Sequence, residues 1–216
     1  MRTRHRPYLI SAGMAVLGAW ALWLAGSDDF ARFFGRLPAP LVVPGLAALG
    51  FWALATLDAR GYRTGSMQSG PLTVWIFLGG LALSALPIGI DLIQPFSAEI
   101  NIPYPRALIF YPVMAVVAEV QFHLLPLALL ALILPRARPT LWLVVPVALI
   151  EPAFQVVFGG GPVLQSGLVA LHVGIFNLLQ LWLFFRNGFL AMILLRLGFY
   201  LGWHVIWGAA RLELLF

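Results

Sequence analysis

Hydrophobic residues follow one another along this chain in seven long runs, and short segments with polar residues, glycine or proline separate them. A helix needs about 20 apolar residues to cross a bilayer, and each run supplies roughly that length. The pattern predicts an all-α, polytopic bundle of seven transmembrane helices that forms one domain over residues 1–216, with no separate soluble domain. The predicted spans are Tyr8–Gly26, Pro38–Leu57, Pro71–Ile90, Ala107–Leu134, Thr140–Phe158, Val163–Phe185 and Phe189–Ala209.

Polar side chains inside these runs are concentrated in the last four, whereas the first three are almost free of them. A carboxylate near the bilayer centre costs about 2.5–3.5 kcal/mol on insertion scales, so it is usually turned inward and partnered. We therefore expect spans four to seven to carry a polar site and spans one to three to frame it. The candidate catalytic residues are Glu119, His123, Glu151, His172, Arg196, Tyr200 and His204.

The fourth run contains a carboxylate and an imidazole four residues apart, Glu119 and His123. On a helix this spacing places the pair on one face about one turn apart, close enough to share a proton, a water or a metal ion. A structural contact that only fixes helix packing is the alternative interpretation. Pro126 removes a helix hydrogen bond just after this turn, so we expect a kink or a break there. The proline-containing segment Gln94 to Arg106 is expected to lie over the outer face of the site.

Two later runs show the same four-residue spacing, with Glu151 and Gln155 on one and Arg196, Tyr200 and His204 on the other. Each set forms one polar stripe on its helix. Arg196 is interpreted as a counter-ion for a glutamate, with a substrate clamp as the alternative. Imidazoles and carboxylates also suit zinc, iron or manganese, but no metal-binding motif is present, so a divalent metal stays possible and no other cofactor is indicated.

The composition agrees with a membrane protein, since 62% of the 216 residues are hydrophobic and only 10% are charged. Soluble domains carry roughly 25% charged residues. The net charge of +5 comes from arginines that lie mostly at the ends of the runs, which indicates topology and lipid contact rather than a nucleic-acid surface. The chain has no cysteine, which excludes disulfides, thiolate metal sites and cysteine nucleophiles.

The distribution of arginine predicts that the N-terminus lies in the cytoplasm and the C-terminus outside. The first run lacks a small-x-small cleavage pattern after it, so we expect a retained helix rather than a signal peptide. Arg106 and Arg211 are exceptions to the predicted topology. The basic residues expected on the cytoplasmic side include Arg2, Arg4, Arg6, Arg60, Arg63, Arg136, Arg138 and Arg186.

Four short segments in the second half of the chain match the motifs of one family in their order. They are Ala118 to His123, Leu168 to His172, the Arg186-Asn187-Gly188 turn, and His204 to Gly208. They resemble the CAAX protease and bacteriocin-processing family of intramembrane proteases, also called the Abi family. Its motifs are Glu-Glu-x-x-x-Arg, Phe-x-x-x-His, a basic-Thr-Gly turn and His-x-x-x-Asn.

Each match is partial, and the departures fall on named positions. Ala118 stands where the family has its first glutamate, and His123 stands where it has arginine. Leu168 replaces the phenylalanine of the second motif, and Gly208 replaces the asparagine of the last.

The resemblance implies a divergent glutamate-type intramembrane protease, in which an activated water attacks a peptide bond of a membrane-embedded peptide or protein. In this interpretation Glu119 is the general base, His172 polarises the water, and His204 or Arg196 stabilises the oxyanion. The expected location is a bacterial inner membrane. The alternative is a non-catalytic membrane subunit or a small ion or proton transporter on the same scaffold. The oligomeric state stays open.

Overall fold

The computed structural model of the chain describes residues 5–62, 70–134, 140–159 and 161–216. Within these ranges seven helices are long and apolar enough to cross a membrane, and every regular element is helical, which confirms the predicted all-α polytopic bundle. The arginines at positions 2, 4, 63, 136 and 138 lie outside the described residues. The seven spans are Arg6–Leu24, Ala39–Ala59, Pro71–Ile93, Ala107–Ile133, Leu141–Phe158, Val163–Asn187 and Phe189–Leu214.

The observed bounds differ from the predicted ones by a few residues, and the largest difference is at the end of the seventh span. We predicted an end at Ala209, but the helix continues to Leu214. The extension contains Arg211, whose side chain is fully buried and pairs with Asp91. Because this charge is neutralised inside the bundle, it does not end the membrane helix.

Proline and serine divide two of the spans. The third span consists of Pro71–Leu83 and Ala85–Ile93, which meet at Ser84. The fifth consists of Leu141–Ala148 and Ile150–Phe158. Pro152 has no N–H, so the carbonyl of Ala148 lacks its helical donor. Asn177 of the sixth span donates to that carbonyl instead, at 3.3 Å.

Two further spans change from α to π geometry in the middle. In the fourth span the helices Ala107–Ala118 and Leu125–Ile133 flank a π-helical segment at Glu119–Leu124, which ends two residues before Pro126. The seventh span contains a π-helical segment at Leu201–Trp207 between the helices Phe189–Tyr200 and Gly208–Leu214. The irregularity expected near Pro126 is thus a widened helical segment.

The third and seventh spans approach each other at small residues. A methyl group added at Gly80 would overlap the backbone carbonyl of Leu195, and one added at Gly198 would overlap that of Phe77. Without side chains at these points the two backbones lie in direct contact, as is common where membrane helices associate. The third span therefore supports the helix that carries Arg196, Tyr200 and His204.

The segment between the third and fourth spans is fixed against the end of the seventh. Asp91 accepts hydrogen bonds from Arg211, at 2.7 and 2.8 Å, and from Trp207, at 2.6 Å. Arg211 also donates to the carbonyls of Phe96 and Ser97, at 2.7 and 3.0 Å. A short helix at Ala31–Phe34 and a 3-10 turn at Ala98–Ile100 complete the same end of the molecule.

Candidate functional site

The centre of the bundle contains one arginine bonded to two glutamates. Arg196 donates from Nε to Oε1 of Glu119 at 2.6 Å. Its Nη1 and Nη2 donate to the two oxygens of Glu151 at 3.0 and 2.9 Å. All three residues are buried, with exposed fractions of 2%, 0% and 6%. Such bidentate pairing suits the planar guanidinium and partners the buried charges.

The guanidinium of Arg196 has no N–H left for a ligand. Besides its bonds to the glutamates, Nη1 donates to the hydroxyl of Tyr200 at 3.3 Å and Nη2 to Oε1 of Gln180 at 2.9 Å. An arginine side chain has five N–H groups, and these contacts use all of them. The geometry is that of a counter-ion, which was our interpretation of this residue, rather than that of a substrate clamp.

Glu119 is enclosed on its other sides by Gln180 and His123. Gln180 Nε2 donates to Oε1 at 2.5 Å, and Nδ1 of His123 lies 2.5 Å from Oε2. Gln180 is fully buried and also donates to the carbonyl of Met192 at 3.2 Å. Both oxygens of Glu119 are therefore engaged, and the predicted Glu119–His123 contact is present as an internal bond.

Beside this cluster lies a cavity of about 700 Å³ within the bundle. Its wall is mostly aromatic and aliphatic, and the candidate residues that face it are Glu151, His172, Arg196, Tyr200 and His204. Glu119 and His123 do not line it, whereas Ala118 does. Adjacent residues of a helix point about 100° apart, so the methyl group of Ala118 faces the cavity while the carboxylate of Glu119 points away from it and bonds Arg196.

His172 presents an unpaired imidazole nitrogen at the cavity wall. The residue is only 6% exposed, and its buried Nε2 has no hydrogen-bond partner among the described residues. The rings of Phe176 and Phe199 lie beside it, with centroid separations of 6.2 and 5.5 Å. A buried polar atom normally forms a hydrogen bond, so this nitrogen is available to a group that enters the cavity.

His204 lies on another side of the cavity between aromatic rings. Tyr111 stacks on the imidazole with a centroid separation of 4.2 Å, and Tyr200 meets it edge-on at 4.9 Å. Its Nδ1 is 2.7 Å from Oδ1 of Asn101, which belongs to the segment after the third span. That segment covers the site as predicted, since Phe96, Ile100 and Ile102 also line the cavity.

The structure thus separates the candidates into two groups. Glu151, His172, Arg196, Tyr200 and His204 share the cavity wall, and Glu119 and His123 form an enclosed pair behind it. Sequence reasoning missed Gln180 and Asn101. Gln180 follows His172 at eight residues on the same helix, so the four-residue spacing used elsewhere could have found it. Asn101 lies in a loop, where no periodic pattern indicates its direction.

Within the part of the chain that the structure describes, no three His, Asp or Glu side chains come together to hold a metal ion. One oxygen of Glu119 and both oxygens of Glu151 are already bonded to Arg196. No family model, curated protein or solved structure matches the chain. Fold and composition define the class as an integral membrane protein with seven candidate spans.

Proposed function

We propose that this protein is an intramembrane hydrolase that cleaves a peptide bond of a membrane-embedded peptide or protein in the cavity of its bundle, where the last four spans supply the polar side chains. One observation carries the proposal: Glu151, His172, Tyr200 and His204 face one mostly apolar cavity inside a membrane bundle. Hydrolysis within a membrane requires polar groups at which water can meet the substrate, because lipid excludes both water and unpaired backbone groups. The aromatic wall suits an apolar peptide segment.

The chemistry begins at His172, because its Nε2 has no partner among the residues that the structure describes and neutral imidazole is an effective general base. The water oxygen forms a bond to the peptide carbonyl carbon while His172 takes one water proton. The carbonyl oxygen becomes an oxyanion and accepts a hydrogen bond from the hydroxyl of Tyr200. The oxygen of that hydroxyl accepts a hydrogen bond from Arg196. The C–N bond then breaks, its electron pair goes to nitrogen, and His172 returns the proton to the amine that leaves.

Glu151 orients the water in this mechanism, and Glu119 acts through Arg196. Each oxygen of Glu151 accepts one bond from the arginine and can accept another, and Glu151 lines the cavity. Glu119 has no exposed surface, so the role of base that the sequence suggested for it passes to His172. Its own role is to hold Arg196, which in turn holds Glu151 and Tyr200.

Ligand binding without chemistry is the second candidate function, and two observations favour it. Ala118 presents only a methyl group to the cavity, and both carboxylate oxygens of Glu151 are already bonded to Arg196. The same cavity would then hold a membrane-borne apolar chain, as a non-catalytic subunit or transporter requires.

The two candidates differ in whether a bond to water oxygen forms. We would incubate the purified protein in liposomes with solubilised membranes from a strain that lacks it, in ¹⁸O-labelled water, and identify new peptide termini by mass spectrometry. We expect labelled carboxyl termini with the wild type. Tyr200→Phe should lower their rate of formation by about 10²-fold, and His172→Gln by about 10²-fold or more.

Leu171→Ala is the matched control, because Leu171 is the neighbour of His172 on the same helix and is 62% exposed on the outer surface. It should leave the rate unchanged. A wild-type protein that produces no labelled termini would contradict the hydrolase proposal and favour the binding function. Equal rates for the wild type and His172→Gln would remove His172 from the mechanism.

A further inference from the structure

We infer that Asn101 is a positioning residue for His204, and that the absence of a side chain at Gly208 leaves the space for the Asn101 amide. The inference deepens the proposed function, on which its catalytic part rests, but its structural part does not depend on activity. The side-chain oxygen of Asn101 lies 2.7 Å from Nδ1 of His204, although the two residues are 103 positions apart. Asn101 is only 6% exposed, so this contact is buried.

Gly208 leaves the space that Asn101 occupies. It follows His204 by four residues, which is about one helical turn. A Cβ added at position 208 would lie 2.9 Å from Nδ2 of Asn101 and 3.1 Å from both its Cβ and its Cγ. Any side chain at this position would press on the amide. The seventh span therefore has no side chain at Gly208, and the amide of Asn101 from the loop occupies that space.

The residues around Asn101 are anchored, so the amide has a fixed position. The backbone N–H of Ile102 donates to the hydroxyl of Tyr111 at 2.8 Å, and Tyr111 itself stacks on the His204 ring. Arg32 donates to the carbonyl of Glu99 at 2.9 Å on the other side. Arg211 holds the loop further upstream through Ser97. These contacts bring the amide to the imidazole as part of a rigid unit.

The contact selects one form of the imidazole. An amide oxygen only accepts hydrogen bonds, so Nδ1 of His204 must carry the proton. In neutral His204 the other nitrogen, Nε2, is then an acceptor, and His204 lines the cavity. The structure assigns Asn101 the task of keeping this acceptor available to an N–H or O–H of the substrate.

The test exchanges the position of the amide between loop and helix. Asn101→Ala removes it, and Gly208→Asn in the Asn101→Ala background restores an amide one turn after His204, in the space that the first change vacates. Asn101→Ala/Gly208→Ala is the matched control, because it fills the same space without an amide. The tautomer of His204 is read by NMR on protein with ¹⁵N-labelled imidazoles, and its signal among the four histidines is assigned with His204→Gln.

We expect the wild type to show the Nδ1–H form, and Asn101→Ala to show a mixture of tautomers with labelled-terminus formation at least 10-fold slower. The Asn101→Ala/Gly208→Asn variant should recover the single tautomer and most of the rate, whereas the alanine control should recover neither. Gly208→Asn alone should lower the midpoint of thermal unfolding, because two side chains then compete for one space.

An unchanged His204 tautomer in Asn101→Ala would overturn the inference, as would equal recovery by the asparagine and alanine variants. If the tautomers behave as expected but the wild type forms no labelled termini, the positioning inference stands and the hydrolase proposal fails. The reverse pattern, with normal hydrolysis in Asn101→Ala, would show that the cavity chemistry does not use this contact.

Discussion

Arg196 is the residue on which the charge balance of the interior depends. It forms ion pairs with both Glu119 and Glu151, and its exposed fraction is 2%. Removal of one partner from a buried ion pair leaves an uncompensated charge, which costs about 3–5 kcal/mol. The two glutamates have different surroundings, because Glu151 faces the cavity and Glu119 does not.

Substitutions in this cluster should separate its structural from its chemical members. Arg196→Met leaves two buried carboxylates without a cation, so we expect a loss of about 3–5 kcal/mol in the free energy of unfolding. Glu119→Gln leaves Arg196 and Glu151 as a one-to-one pair, and the new amide can bond both Arg196 and His123. We expect this variant to stay folded and to retain hydrolysis. Thermal unfolding in detergent and the labelled-terminus assay provide the two measurements.

Arg186→Met serves as the control for the arginine change, because Arg186 is exposed and lies over the ring of Trp182 at 5.1 Å. It should be close to the wild type in stability. An Arg196→Met protein as stable as this control would show that the buried pair contributes no net stability. Loss of hydrolysis in a folded Glu119→Gln protein would return the role of base to Glu119.

For single residues, the sequence predicts that a buried charge is paired better than it predicts which way the side chain points. A carboxylate in a membrane span is expected to turn inward, and Glu119 does so. Ala118 and Glu119 are neighbours in the chain, but only Ala118 lines the cavity. The π-helical segment that begins at Glu119 also changes the directions in which the side chains after it point around the helix axis. Helical periodicity assumes regular α geometry, so it does not predict this change in side-chain direction. The same limit explains why Asn101, a loop residue, was missed.

Among the elements, the third and seventh spans depend on each other most closely. Their backbones touch at Gly80 and Gly198, and Gly202 lies against Ser84 one turn further along. Van der Waals contact between closely packed helices replaces the hydrophobic effect as the force of association in lipid. A side chain at these points separates the helices along their whole contact.

Two neighbouring glycines of the third span offer a matched pair of substitutions. Gly80→Val places atoms on the carbonyl of Leu195, so we expect lower thermal stability and loss of the site geometry on the seventh span. Gly79→Val meets nothing nearer than a side-chain carbon of Leu195 at 4.0 Å, so we expect little change. Unfolding midpoints of the two purified variants measure the difference. Equal midpoints would mean that the close approach does not contribute to stability.

Element existence and length were predictable because lipid demands about 20 apolar residues and satisfied backbone groups. Internal irregularity was predictable only where proline marks it. Pro126 indicated a disturbance in the fourth span, and a π-helical segment lies just before it. The second π-helical segment, at Leu201–Trp207, contains no proline, so nothing in the local sequence identifies it.

On the scale of the whole molecule, one exception to the predicted topology has a physical reason. Arg211 was expected to weaken the arginine pattern, since it lies near the predicted outer end of the seventh span. Its charge is buried and paired with Asp91, so it does not face the membrane surface. Arg60 supports the remaining pattern, because it donates to the carbonyls of Ala131, Leu132 and Leu134 and so places the ends of the second and fourth spans together.

The orientation itself stays a prediction, and reporter fusions test it. A fusion after Arg138 should report cytoplasm, and one after Gly161 should report the exterior. A pair of reporters that are active only inside and only outside, respectively, gives each position a positive signal. Exchange of the two signals would reverse the orientation of the bundle and leave its internal contacts unchanged.

The two buried glutamates and their arginine lie on different spans, and this has a consequence for how the protein is inserted into the membrane. Glu119 and Glu151 precede Arg196 by 77 and 45 residues, so both enter the bilayer during synthesis before their cation exists. Each carboxylate costs about 2.5–3.5 kcal/mol at the bilayer centre on insertion scales. The two carboxylates therefore stay without their cation until the last helix is inserted, and a product truncated before Phe189 would keep both of them unpaired within the membrane.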